Sequence, residues 1–175
     1  ALIHISYKNK NRLKELYNSL KDFDFYYKNR EDENAKMYYH NMLVILSKYD
    51  LTLGIDFYNK MPSFAKNNYL TIHFYSIILI EKERYNEAQK ILEDLYFNKH
   101  YENAFETLVK AYFMEKNYEK VISILSGAKA DKFDSYGFLA AMLIISKNKI
   151  KKYSENEILR LNNSKFRNMP LFYFC

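Results

Sequence analysis

Apolar side chains recur along the chain three and four residues apart, the period of helices with one buried stripe. Leu13, Leu16, Tyr17 and Leu20 make the first stripe, and Tyr38, Met42, Ile45 and Leu46 the second. Gly54, Phe57, Tyr58 and Met61 continue to Pro62, whose ring and missing N–H end a helix. Further stripes are Ile72, Tyr75 and Leu79, then Tyr85, Ala88 and Leu92, then Phe105, Leu108 and Tyr112, then Tyr118, Val121 and Leu125. Phe138 and Ala141 open another, and Ser154 with Glu157 forms a capping box before Ile158, Leu159 and Leu161. The pattern predicts helices near residues 10–21, 34–48, 51–61, 68–82, 85–97, 101–115, 118–127, 134–147 and 154–163. Between the first two, 21–34 reads as a connector. Its Phe23, Phe25, Tyr26 and Tyr27 pack locally, and its acidic end suits the positive pole of the next helix.

Residues 71–92 and 104–125 align at an offset of 33, with Tyr85 on Tyr118, Ala88 on Val121 and Leu92 on Leu125. Gly54 lies 34 residues before Ala88, and Ile45 lies 34 before Leu79; Phe138 follows Phe105 by 33, and Ala141 follows Leu108 by 33. A period of this length is the signature of a stacked helical array, in which each unit buries its face on its neighbours. The units fall at about 1–34 (partial), 35–68, 69–101, 102–134 and 135–165, followed by an aromatic tail at 166–175. The partial first unit, together with an opening Ala1 in place of Met, suggests a piece of a larger protein or a processed product.

The central units resemble tetratricopeptide repeats. The resemblance lies in the first-helix residues Ile72, Tyr75, Leu79 and Phe105, Leu108, Tyr112. It continues through the turns Arg84-Tyr85-Asn86-Glu87-Ala88 and Asn117-Tyr118-Glu119-Lys120-Val121, and ends on Leu92 and Leu125. A tyrosine packing back over the turn and a small residue one turn later let two helices approach closely, a pattern that Ala88 and Gly54 satisfy and from which the bulkier Val121 departs. The small residue usual in the middle of the family's first helix is met by Ser76 and replaced by Met42, Val109 and Met142. The resemblance spans about residues 35–146 and implies an all-α fold, a right-handed superhelix of antiparallel helix pairs, that is, a TPR-like solenoid.

In that family the outward face of each first helix lines a concave surface that holds an extended peptide or a partner helix. Carried over by register, this face consists of Tyr39 and Leu43, then His73, Ile77 and Ile80, then Glu106, Lys110 and Phe113, then Leu139 and Leu143. The pairing of Lys with Asn by which some members grip carboxylate tails does not occur there, so an apolar peptide or helix is the implied ligand. Two other occupants fit the same face: another domain of the same protein, or the tail residues Leu171 to Phe174. The implied function is a non-catalytic protein- or peptide-binding scaffold or sensor module.

Composition narrows the chemistry. Gly numbers 3 and Pro 2, too few for a fold built on tight turns. Gly54, Gly127 and Gly137 are too dispersed for a phosphate loop, and His4, His40, His73 and His100 show no metal-ligand spacing, so no catalytic residue, metal site or cofactor is assigned. The single Cys175 builds no internal disulfide and points to a reducing, cytoplasmic setting. No stretch reaches the roughly 20 apolar residues of a membrane span. The net charge of +6 is concentrated at the ends, where residues 1–30 carry seven Lys or Arg against three acids and 129–175 carry nine against four. Residues 31–128 carry eleven against fourteen, which disfavours nucleic acid along the array.

An alternative is an RNA-binding pentatricopeptide-like repeat, since Tyr49-Asp-Leu-Thr-Leu-Gly-Ile-Asp-Phe-Tyr-Asn-Lys-Met-Pro62 is similar to the second helix of that family; only this unit shows it. The register makes one packing claim directly testable. Ala88→Leu places a large side chain in a close helix contact and is expected to cost about 1–3 kcal/mol in denaturant unfolding. An unchanged midpoint would overturn the register.

Overall fold

The computed structural model describes residues 15, 17–19, 24–127 and 137–150, and all regular structure among them is helical. The expected helix at 154–163, its capping box and the tail lie outside the described residues, as does most of the expected helix at 10–21. The chain divides into two compact units, Ala1–Ala104 and Phe105–Cys175.

In the first unit residues 15 and 17–19 are helical, within the helix expected at 10–21, and the short helix α1 (Asp24–Tyr27) lies inside the stretch read as a connector. Helix α2 (Glu33–Tyr49) starts where Asp32 accepts the Ala35 N–H at 2.9 Å, so the acidic entry acts through a cap as well as through charge. Helix α3 (Leu51–Lys60) follows after one residue. That residue, Asp50, ends one helix and starts the next. Its N–H reaches Leu46 O at 2.8 Å, and its carboxylate accepts from Thr52 N and Leu53 N at 2.6 and 3.3 Å. These backbone donors hold its carboxyl below the usual range.

Such a hairpin requires small residues at the crossing. A Cβ added to Gly54 would overlap the Ser47 hydroxyl and lie 2.9 Å from the Ser47 Cβ. The Ser47 hydroxyl donates to Leu43 O at 2.6 Å, which satisfies it inside the contact.

Pro62 ends α3 as expected but opens an unanticipated turn of helix, α4 (Ser63–Lys66), by accepting from Ala65 N and Lys66 N at 3.1 and 3.0 Å. Four residues are too few to show a helical period. Helix α5 (Tyr69–Glu81), capped by Asn68, packs on α2, α3 and α4 and pairs with α6 (Tyr85–Glu93). Tyr58 on α3 stacks on Tyr75 on α5, with centroids 3.7 Å apart and planes 6° from parallel. Helix α6 runs into a π-helical turn, Asp94–Asn98, where the pattern had implied α-helix to 97.

Helix α7 (Ala104–Met114) starts three residues later than expected, after His100 takes a left-handed backbone (φ 54) and Ala104 N bonds Tyr101 O at 3.0 Å. In the second unit it is followed by α8 (Tyr118–Gly127), and α9 (Gly137–Lys149) packs on α8. The core includes Leu108, Val109, Val121, Leu125 and Leu139, each at most 1% exposed.

The turn between α5 and α6 and the turn between α7 and α8 are closed by the same hydrogen bonds, 33 residues apart. Arg84 N reaches Leu79 O at 2.9 Å and Glu83 N reaches Ile80 O at 2.9 Å; Asn117 N reaches Tyr112 O and Lys116 N reaches Phe113 O, both at 3.0 Å. This is the Schellman closure, in which one residue must take the left-handed region. Glu83 (φ 59) and Lys116 (φ 68) occupy that position without being glycine. Beyond each turn the carbonyl before the second helix accepts one turn on: Ala88 N to Arg84 O and Val121 N to Asn117 O at 3.2 Å, and Gly54 N to Asp50 O at 3.1 Å.

The strain at the two turns gives a prediction. Glu83→Gly relieves the left-handed backbone and removes an acidic side chain from a helix C-terminus, so it is expected to stabilise the protein by about 1 kcal/mol. Lys116→Gly should gain less, because it gives up a favourable cation. Glu83→Ala in the same denaturant series separates the two causes: a full gain there would assign the effect to charge and refute the strain.

Candidate functional site

The face expected to bind lies on α2, α5, α7 and α9. In the first unit, Tyr39 and Leu43 on α2 are 3% and 0% exposed and offer no surface to a partner. The reason for Tyr39 is the short helix α4, which the sequence did not reveal and which packs on α2. Phe64 from α4 meets the Tyr39 ring at 5.8 Å, Phe57 meets it at 6.2 Å, and the Tyr39 hydroxyl donates to Asp24 at 3.0 Å. Burial and that carboxylate push the Tyr39 hydroxyl well above its usual pKa. Ile80 on α5, at the turn, is likewise buried.

His73 and Ile77 remain half-exposed, one turn apart on α5. Asn68 sets that helix, accepting from Thr71 N at 3.2 Å. The His73 ring meets Tyr101 edge-on at 5.7 Å, and Tyr69, one turn before His73, meets the same Tyr101 at 5.9 Å. Tyr69 is 43% exposed. The sequence reading missed both tyrosines. Tyr69 could have been found from its four-residue spacing to His73 on one helix face. Tyr101 could not, because it sits in a connection and is brought to α5 by the turn after α6, where its N–H bonds Leu95 O at 2.9 Å.

In the second unit, Glu106 is exposed, Lys110 and Phe113 are half-exposed on α7, and the Phe113 ring meets Tyr118 of α8 at 5.8 Å. Leu139 on α9 is 1% exposed and belongs to the core, while Leu143, one turn on, is half-exposed. The surface part of the expected face is therefore His73 and Ile77 in one unit, and Glu106, Lys110, Phe113 and Leu143 in the other.

A separate cavity of about 540 Å³ opens along α2 and α3 beside Tyr17 and Asn18. Ile45, Leu46, Tyr49, Leu53 and Phe57 line it, with Asp56 and Lys60, and it includes none of the residues expected to bind. Among the described residues no three His, Asp or Glu side chains gather as a metal site, and no helix is long and apolar enough to cross a membrane. Comparison with protein-family models, with curated proteins and with solved structures returned no match.

Two histidines of the first unit, His40 and His73, lie against aromatic rings. His40 on α2 lies edge-on to Phe74 of α5 at 5.8 Å, and its Nδ1 is buried with no hydrogen-bond partner. Burial alone pulls the pKa of His40, and that of His73, below the ordinary histidine value. The unfolded chain therefore takes up these protons before the folded one does. Their contribution to stability is fully present above about pH 6.5 and is lost as pH falls through the folded values. The denaturant midpoint should be flat from pH 8 to 7 and drop toward pH 5, with a shallower drop in His40→Leu. A midpoint that rises on acidification would contradict the burial argument.

Proposed function

We propose that this chain is a non-catalytic protein- or peptide-binding module of the tetratricopeptide-like kind, a scaffold or sensor that takes its ligand on the outward faces of the first helices. The right-handed superhelix of helix pairs belongs to this reading, with that face as its concave side. So does a reducing, cytoplasmic setting. The supporting observation is the pair of identical turn closures at a 33-residue offset. Each holds a first helix against a second while leaving His73 and Ile77, or Lys110 and Phe113, partly open on the first. Half-exposed aromatic and aliphatic side chains flanked by charge are the anchors such faces use.

The test is a pull-down with immobilised protein, quantified for wild type and for Ile77→Ala, Phe113→Ala and the surface control Lys90→Ala. Loss of about tenfold in affinity is expected for one or both face variants, with Lys90→Ala unchanged and all folds intact by circular dichroism. Equal binding by all three removes the first-helix face. Raising salt from 50 to 200 mM distinguishes the chemistry, since phosphate-driven RNA binding falls by orders of magnitude over that range and apolar anchoring does not.

A further inference from the structure

We propose that the cavity along α2 and α3 binds a small apolar zwitterion, a dipeptide of apolar residues with free ends, whose ammonium meets Asp56 and whose carboxylate meets Lys60. This site goes beyond the first-helix reading and shares no residue with that face.

Leu53, Asp56, Phe57 and Lys60 stand at i, i+3, i+4 and i+7, which is one face of α3, and all four line the cavity. Ile45, Leu46 and Tyr49 line it from α2, and Tyr17 and Asn18 from the helical residues ahead of α1. The deeper wall is apolar: Ile45 is 3% exposed, and Leu46 and Phe57 are half-buried. Tyr17, Tyr49 and Leu53 are exposed around it. Large apolar side chains left open about a cavity of about 540 Å³, with a few polar groups among them, are what a small-molecule site presents.

The polar groups define the ligand. The lining holds one acid and one base, Asp56 and Lys60, one turn apart on α3. Among the described residues neither side chain has an ion pair or a hydrogen bond, and the two do not pair with each other. A ligand with a single charge would gain one contact and meet one like charge, whereas a zwitterion gains both contacts. Length agrees with this. Side chains four apart on a helix start about 6 Å from each other, and an extended dipeptide spans about 7 Å. From Leu53 to Lys60 the helix runs about 10 Å, which leaves room beside Phe57 for two apolar side chains.

The experiment is ligand-observed saturation-transfer NMR on the full chain, with leucyl-phenylalanine, its N-acetyl form, its C-terminal amide and glycyl-serine as probes. Leucyl-phenylalanine is expected to bind several-fold more tightly than either blocked form, and glycyl-serine not to bind. Asp56→Asn should weaken leucyl-phenylalanine about three- to tenfold and abolish its advantage over the acetylated form; Lys60→Gln should do the same against the amide. Asp56 and Lys60 are exposed, so both variants keep the fold, and they shift the net charge in opposite directions, so a loss in both is local. Leu53→Ala should weaken every probe that binds, and Ile77→Ala none.

Equal affinity for the free and blocked dipeptides, wild-type affinity in both charge variants, or no binding of leucyl-phenylalanine at millimolar concentration overturns the proposal. So does a loss of binding in Ile77→Ala with none in Asp56→Asn, which would place the dipeptide on the α5 face instead.

Discussion

Each helix pair depends on how closely its two backbones can approach just past the turn. Position 54 is glycine because even one carbon there would strike Ser47, and Ala88 and Val121, equivalent by sequence offset, are both fully buried. In all three pairs the residue at this position donates its N–H to the carbonyl that precedes the second helix, the first bond of that helix. Side-chain volume at the contact then decides what can oppose it. From glycine to alanine to valine the side chain at this position grows, while the connection ahead of it differs: Asp50 alone in the first pair, a Schellman turn in the other two.

Local physics explains which elements were legible in the chain. The helices of nine or more residues were visible because their buried stripes repeat. Asp24–Tyr27 and Ser63–Lys66 were not visible, because four residues cannot display a period. The second of these omissions had a consequence for the site. Ser63–Lys66 contributes Phe64 to the cover over Tyr39, so a position that register alone puts on an outward face is interior. Leu43, Ile80 and Leu139 make the same point: an apolar residue on the open side of one helix is open only if no other element lies across it. His73, Ile77, Lys110 and Phe113 keep part of their surface. Tyr101 is the converse case, a residue in a connection that no periodicity could assign to α5.

The abundance of tyrosine gives these units a specific way of handling charge. Rings that meet a lysine or arginine of the same chain are satisfied locally, as at Tyr26, Tyr58 and Tyr112. Rings that meet other rings, such as Tyr58 on Tyr75, join one helix to the next. Both uses need only one residue type, whose hydroxyl can also find a carboxylate, as Tyr39 finds Asp24. The distinction between structural and available rings therefore lies in what sits over them, which is a property of the folded chain.

Asp50 joins two helices with no intervening loop, its N–H, carboxylate and carbonyl each holding one of them. The pairs that follow instead spend residues on a left-handed turn. A protease needs a stretch of chain it can draw out into its cleft, and an engineer inserting a tag or opening new termini needs slack of the same kind. The junction at Asp50 offers neither. A residue inserted at this junction has to break a cap or a helix end, so the first pair is joined where sequence cannot be added without cost.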